Sequence, residues 1–179
     1  RRSYISEVHS YIDWGCPFQA LRLQLEKRGL NSARIGLDFN SYGMPLGRFE
    51  LIKKVLPEVQ WVDLGPIVWE LRLIKSPAEI TLLEKASAIA DETMYRVREV
   101  CKEGASQRDV ARVAVASYVE LGADPGPPGP ISTGRGWDFL HAHLEDVPLK
   151  RGDVVHVELI PSFSGYSARV MRCISVGNT

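Results

Sequence analysis

The side chains of this chain best suited to moving a proton are three histidines in its C-terminal half, His141, His143 and His156. Imidazole titrates near neutrality without any help from its surroundings, which suits it to general acid–base work. His141 and His143 are two residues apart and would share a face if they lay on a strand. His156 lies inside an apolar, strand-like run and reads as a packed or surface position. Trp137 and Phe139 stand close to His141 and could wall a pocket, although aromatics beside a loop are more often core. The three cysteines, Cys16, Cys101 and Cys173, are odd in number, far apart and without a C-x-x-C pair. They read as reduced thiols packed in the core, in a cytoplasmic setting, rather than as nucleophiles. Gly134-Arg135-Gly136 is too short to cradle a phosphate, and the sequence contains no G-x-x-x-x-G-K-[ST] motif.

The elements that must position these groups can be read from periodicity and end signals. Pro17 suits the first turn of a helix, Phe18, Leu21 and Leu25 recur at helical spacing, and Gly29 stops it. Residues 33–37 read as a strand, and Phe49, Ile52, Val55 and Leu56 as a second amphipathic helix. Residues 59–62 are the next strand candidate, so a parallel strand–helix–strand unit is expected. Residues 64–75 act as a connector. Ser76-Pro77-Ala78-Glu79 is a helix start with capping box. Ile80, Leu83, Ala86, Ala90, Met94, Val97 and Cys101 then trace a stripe over about six turns. Ser106-Gln107-Arg108-Asp109 opens another helix by the same logic, with Val110, Val113, Ala114, Ser117 and Leu121 on one face and Gly122 as its stop. Residues 122–136 are rich in Pro and Gly and are read as an ordered loop. The runs 153–160 and 166–176 alternate, and Pro161-Ser162-Phe163-Ser164-Gly165 can turn the chain between them, which predicts an antiparallel hairpin.

Bulk composition narrows the function classes. Of 179 residues, 45% are hydrophobic and 25% charged, and Lys+Arg and Asp+Glu both total 22. The resulting zero net charge lacks the basic excess of a nucleic-acid binder. No apolar run is long enough for a membrane-spanning helix, and no secretory leader pattern is present. Neither a nucleic-acid nor a membrane partner is therefore expected. The chain begins at Arg1 and ends at Thr179 directly after a strand-like run, so a fragment of a longer protein is expected.

Several of these segments together carry a resemblance. The run Leu71-Arg72-Leu73-Ile74-Lys75-Ser76-Pro77-Ala78-Glu79-Ile80 resembles the L-R-x-I-K-S-x-x-E-I start of the catalytic domain in the creatinase / aminopeptidase P / prolidase ("pita-bread") family. His141, Asp146 and Gly152-Asp153 match the family's H-x-x-x-x-D-x-x-x-x-x-G-D spacing. Gly165-Tyr166 and Arg172, at the arginine of a T-R-T motif, follow in the same order. The resemblance implies an α/β (α+β) chain: the end of a creatinase-like N-terminal domain over residues 1–66, a linker over 67–76, and over 77–179 the N-terminal half of a pita-bread catalytic domain, two helices followed by antiparallel strands. It also implies a homodimer, and a further C-terminal stretch that carries a second histidine and two glutamate ligands.

In metal-dependent members of that family, two aspartates on adjacent strands bridge two divalent ions, which activate water. Counting from Gly152, those two positions hold Glu158 and Arg169. Glu158 alone retains a donor oxygen. A guanidinium stays protonated and has no lone pair to give. One reading is that Glu158 and Arg169 pair across the hairpin. The other is that Arg169 takes over the electrostatic role of the metal and holds a substrate carboxylate or a developing oxyanion. The two are compatible.

The resemblance to creatinase, which lacks both aspartates and cleaves a C–N bond without metal, gives His141 the proton-transfer role. His143, Glu158 and Arg169 are then substrate-binding candidates. Creatinase carries a carboxylate directly before its arginine, and here that residue is Met171, which counts against creatine as substrate. Three readings follow. The first is a parent enzyme that hydrolyses a C–N bond in a small amide-like substrate with no cofactor. The second is a non-catalytic binding or interaction relative. The third is a metal-dependent Xaa-Pro peptidase acting on dipeptide-like substrates with Mn, Co, Zn or Fe. By itself, the 179-residue chain is expected to be inactive.

Overall fold

The computed structural model describes residues 5–134 and 143–177. The chain divides into two compact units, Arg1–Ile74 and Lys75–Thr179.

The first unit contains α1 (Pro17–Lys27), β1 (Arg34–Leu37), α2 (Leu46–Val55), β2 (Gln60–Asp63) and α3 (Ile67–Leu73). As the pattern predicts, β1 and β2 are parallel, with Ile35 beside Trp61. Their core is Ile52, Val55, Leu56 and Val59, packed on by Phe18, Leu25, Ile35, Phe49 and Trp61. Helix α3 lies within the segment read as connector and linker. After Pro66 the run Ile67–Ile74 contains no Gly or Pro. A helix can therefore form there, and it ends at Leu73, after which Ile74 is already extended with ψ 114°; Ser76, which precedes Pro77, is extended too, with ψ 162°.

The second unit begins with α4 (Pro77–Val100) and α5 (Gln107–Glu120). Both open with the capping boxes that their sequences specify. The Ser76 Oγ accepts from the Glu79 N–H at 3.3 Å, and the Ser76 N–H donates to Glu79 Oε2 at 2.7 Å. Ser106 and Asp109 repeat the exchange at 3.2 and 2.9 Å. The strands β3 (Ile131–Gly134), β4 (Val154–Leu159) and β7 (Val170–Ser175) form an antiparallel sheet in the order β3-β4-β7. Between β4 and β7 lies a small hairpin of β5 (Ser162–Phe163) and β6 (Tyr166–Ser167).

Two features differ from the sequence reading. Strand β3 arises inside the Pro/Gly-rich stretch, where Ile131-Ser132-Thr133 supplies residues that favour a pleated surface. The expected single strand over 166–176 breaks at Ala168-Arg169. Ser164 and Gly165 both have positive φ, 50° and 82°. They form the two-residue loop that a tight hairpin demands, so Tyr166 pairs back to Phe163 before the chain enters β7.

Alternate residues of β4 face opposite ways. Val155, Val157 and Leu159, all fully buried, meet Val97 of α4 and Val110, Ala114 and Tyr118 of α5 in one apolar core. The Tyr118 hydroxyl donates to the Pro128 carbonyl at 2.9 Å and accepts from the Ile160 N–H at 3.0 Å, which ties the loop before β3 to the end of β4. Tyr166 donates to Glu79 Oε1 at 2.8 Å, so the β5–β6 hairpin is fastened to the first turn of α4.

Gly129 touches β4 so closely that only glycine fits. Its φ is +99°, and a Cβ there would lie 2.1 Å from the Glu158 carbonyl oxygen. Gly129→Ala should therefore lower stability by about 2 kcal/mol or more, from backbone strain and displacement of β4, read as a fall in the thermal unfolding midpoint.

The Ser76 backbone N–H, then the Ser76 side chain and then Tyr166, hold the Glu79 carboxyl below its ordinary pKa. A lowered folded-state pKa contributes stability above the unfolded value and loses it as pH falls through the folded one. Glu79→Gln should therefore flatten the stability loss on acidification below about pH 4, measured by denaturant midpoints across pH.

Candidate active site

Opposite the helix-facing valines, the sheet presents a polar side. Glu158 lies on it in the central strand, 2% exposed as a residue. Its register partner on β7 is Met171, and Arg169 stands two residues before Met171, on the diagonal of the same face. From there the half-exposed Arg169 reaches in. Its guanidinium Nη2 is 2.6 Å from Glu158 Oε1, with side-chain exposures of 59% and 3%. The pairing anticipated from the sequence is present, and it is diagonal because the chain bends at Ala168-Arg169. The carboxylate is buried and neutralised. The guanidinium keeps an outward-facing part that can bind a further anion.

Next along the same face come His156 and Cys173, which are register partners. The His156 Nδ1 lies 4.0 Å from the Cys173 sulfur. The reading of His156 as packed holds, at 8% exposure. Among the cysteines, Cys101 is buried as expected, whereas Cys173 is exposed.

His141, with its neighbours Trp137 and Phe139, lies outside the described residues. His143 is exposed on an extended segment outside any strand, so the shared strand face anticipated for it does not apply. Among the described residues no hydrogen bond or ion pair joins His143 to Glu158 or Arg169.

The segment after His143 is instead anchored by Gln107, a residue the sequence reading passed over as part of a helix start. Gln107 is 1% exposed. Its Nε2 donates to Thr133 Oγ1 at 2.7 Å, and its Oε1 accepts from the Glu145 N–H at 2.8 Å. These partners are 26 and 38 residues away, so no local pattern announces the role.

A cavity of about 590 Å³ opens between α4 and β7, lined among others by Asp91, Tyr95, Arg98 and Arg172. Its lining includes Cys173 and neither Glu158 nor Arg169. Arg172, expected as a motif arginine, donates to the Met171 carbonyl at 2.7 Å.

The comparisons with known proteins agree with this architecture. Residues 81–179 match the pattern described as metallopeptidase family M24, and residues 1–74 match the creatinase/prolidase N-terminal domain. The chain belongs to the M24 family, and the relatives it resembles are prolidases, Xaa-Pro aminopeptidases and creatinase. A Xaa-Pro dipeptidase of Pyrococcus horikoshii is 29% identical over 136 residues, covering 75% of this chain and 39% of the relative. A creatinase of a Bacillus species is 26% identical over 183 residues, covering 97% of this chain and 44% of the relative. Among solved structures, a prolidase from Thermococcus sibiricus superposes with a TM-score of 0.77 at 26% identity, over 98% of this chain and 47% of that one. The chain thus spans under half the length of these relatives. Among the described residues, no helix is long and apolar enough to cross a membrane.

The family name implies a divalent metal, and the donors here do not suit one. Of the two positions that the resemblance assigns to bridging aspartates, one is an arginine without a lone pair, and its guanidinium already occupies the oxygen of the other at 2.6 Å. Among the described residues no group of three or more His, Cys, Asp or Glu side chains is arranged to hold a metal ion.

Removing Arg169 should leave Glu158 buried without its partner. Arg169→Met is expected to cost about 2 kcal/mol, and adding Glu158→Leu should recover most of that loss, because an ion pair replaced as a unit by apolar groups is often neutral. Thermal melts of both variants check this.

Proposed function

We propose that the protein to which this chain belongs hydrolyses a C–N bond in a small, carboxylate-bearing amide-like substrate, without a catalytic metal. The observation that carries this reading is the Glu158–Arg169 ion pair at 2.6 Å. It neutralises a buried carboxylate with a fixed cation at the place where the family resemblance puts a pair of metal ligands. The outer part of the guanidinium would hold the substrate carboxylate or a developing oxyanion. His141 would move the proton between the attacking water and the leaving nitrogen, with His143 at the rim. The likeness to a creatinase along 97% of this chain is in keeping with that. Met171, opposite Glu158, offers no charge to a substrate guanidinium and argues against creatine itself.

The relatives named as Xaa-Pro peptidases favour a second reading, a metal-dependent peptidase acting on dipeptide-like substrates. In that case, carboxylates from outside this chain would have to supply the metal site. A homodimer is proposed on either reading.

A screen of small amides and Xaa-Pro dipeptides against the full-length protein, with and without EDTA, separates the two. We expect turnover of a carboxylate-bearing amide that survives EDTA, and an Arg169→Ala variant with KM raised at least tenfold. Near-stoichiometric bound divalent metal by elemental analysis, with activity abolished by EDTA, would overturn the metal-independent reading. The 179-residue chain alone should turn over none of these compounds.

A further inference from the structure

His156 sits at the centre of a polar row that crosses all three strands of the β3-β4-β7 sheet. Its register partner on β3 is Ser132 and on β7 is Cys173. The three side chains lie on the face opposite Val155 and Val157, and Cys173 stands where the T-R-T motif has its second threonine. Cys173 is exposed, and its sulfur is 4.0 Å from His156 Nδ1. On the other side of the imidazole, Ser132 is fully buried and its Oγ has no hydrogen-bond partner. A buried hydroxyl left unpaired costs on the order of 1–3 kcal/mol and calls for an explanation. A thiol with an imidazole beside it follows the pairing of nucleophile and base.

The other two cysteines provide internal contrasts. Cys101 is buried in the core, and desolvation pushes its thiol up to about 12. Cys16 precedes α1 and is half-buried, with no imidazole bond to it among the described residues.

We propose that Cys173 is a thiol nucleophile, activated by His156, that accepts acyl groups from small carboxylic esters. The Cys173 thiol proton passes to His156 Nδ1 as the sulfur bonds to the carbonyl carbon. The carbon–oxygen bond to the leaving alcohol then breaks, and that oxygen takes the proton back from the imidazolium. A thioester and a free alcohol result, with no oxidant or metal required. The site lies beside the Glu158–Arg169 pair on the same face and does not rest on the reading of that pair as metal-independent.

The test compares alkylation by iodoacetamide at each cysteine, followed by peptide mass mapping, in the folded protein and in guanidinium. Accessibility can only make a folded thiol slower than its denatured self, so a faster folded rate reports activation. Cys173 should react about tenfold faster folded than denatured, whereas Cys16 and Cys101 should react more slowly folded. His156→Gln should remove the excess at Cys173. p-Nitrophenyl acetate should acetylate the protein at Cys173, and Cys173→Ser should abolish that adduct. A folded rate at Cys173 equal to or below its denatured rate would overturn the proposal, and this comparison needs no variant to fold. An undiminished excess in folded His156→Gln would overturn the role of the imidazole.

Discussion

A carboxylate that is 2% exposed in the middle strand of a sheet must be neutralised where it stands. Left alone, Glu158 would carry the desolvation penalty of an unpaired buried charge. Arg169 resolves this from the diagonal position just before β7, and the geometry depends on the break at Ala168-Arg169. The β5–β6 hairpin turns back early, and the Ala168 N–H donates to the Pro161 carbonyl at 3.1 Å. The chain then enters β7 with the guanidinium directed along the polar face. Two carboxylates at this place would repel each other and call for cations between them. One carboxylate with one guanidinium does not. The fold of the M24 family is retained with this ion pair in its sheet, and membership of a fold family does not by itself fix the chemistry of the site.

The rest of the second unit holds β4 still enough for that pairing. Gly129 lies against the Glu158 backbone, and the Glu158 N–H donates to the Pro130 carbonyl at 2.9 Å. Tyr118 bonds both the loop before β3 and the residue after β4. Gln107 spans α5, β3 and the segment after His143. The Tyr118 and Gln107 side chains are buried and make two hydrogen bonds each, so neither can relax without leaving a buried polar atom unpaired.

The local signals in the sequence were legible. Ser76, Glu79, Ser106 and Asp109 act within a single turn, so the capping boxes could be read directly, as could the parallel β1–β2 pair from its strand–helix–strand spacing. The ion pair was legible only as a possibility, since Glu158 and Arg169 are eleven residues apart and their meeting depends on register. The diagonal offset came from the Ser164-Gly165 turn, whose two positive φ values shorten the hairpin arms. Gln107 and the Ser132–His156–Cys173 row were not legible at all. Their partners are set by packing of distant segments, and a serine or cysteine in an alternating run gives no sign of which face it will take.

That alternation also divides the work of the sheet. Along β4, Val155, Val157 and Leu159 are fully buried against the helices, and this side supplies the hydrophobic stabilisation of the unit. The intervening His156 and Glu158 contribute little of that kind and carry the cost of burial, offset by Cys173 on β7 and Arg169 just before it. A slip of one residue in the β4–β7 register would exchange the two sets, placing a carboxylate and an imidazole in the apolar core. The register is therefore enforced by the valine side, and the polar side inherits its geometry from it. Because the polar residues are positioned by contacts they do not make themselves, their identities can change without loss of the fold, and an arginine can stand where the family resemblance leads one to expect an aspartate.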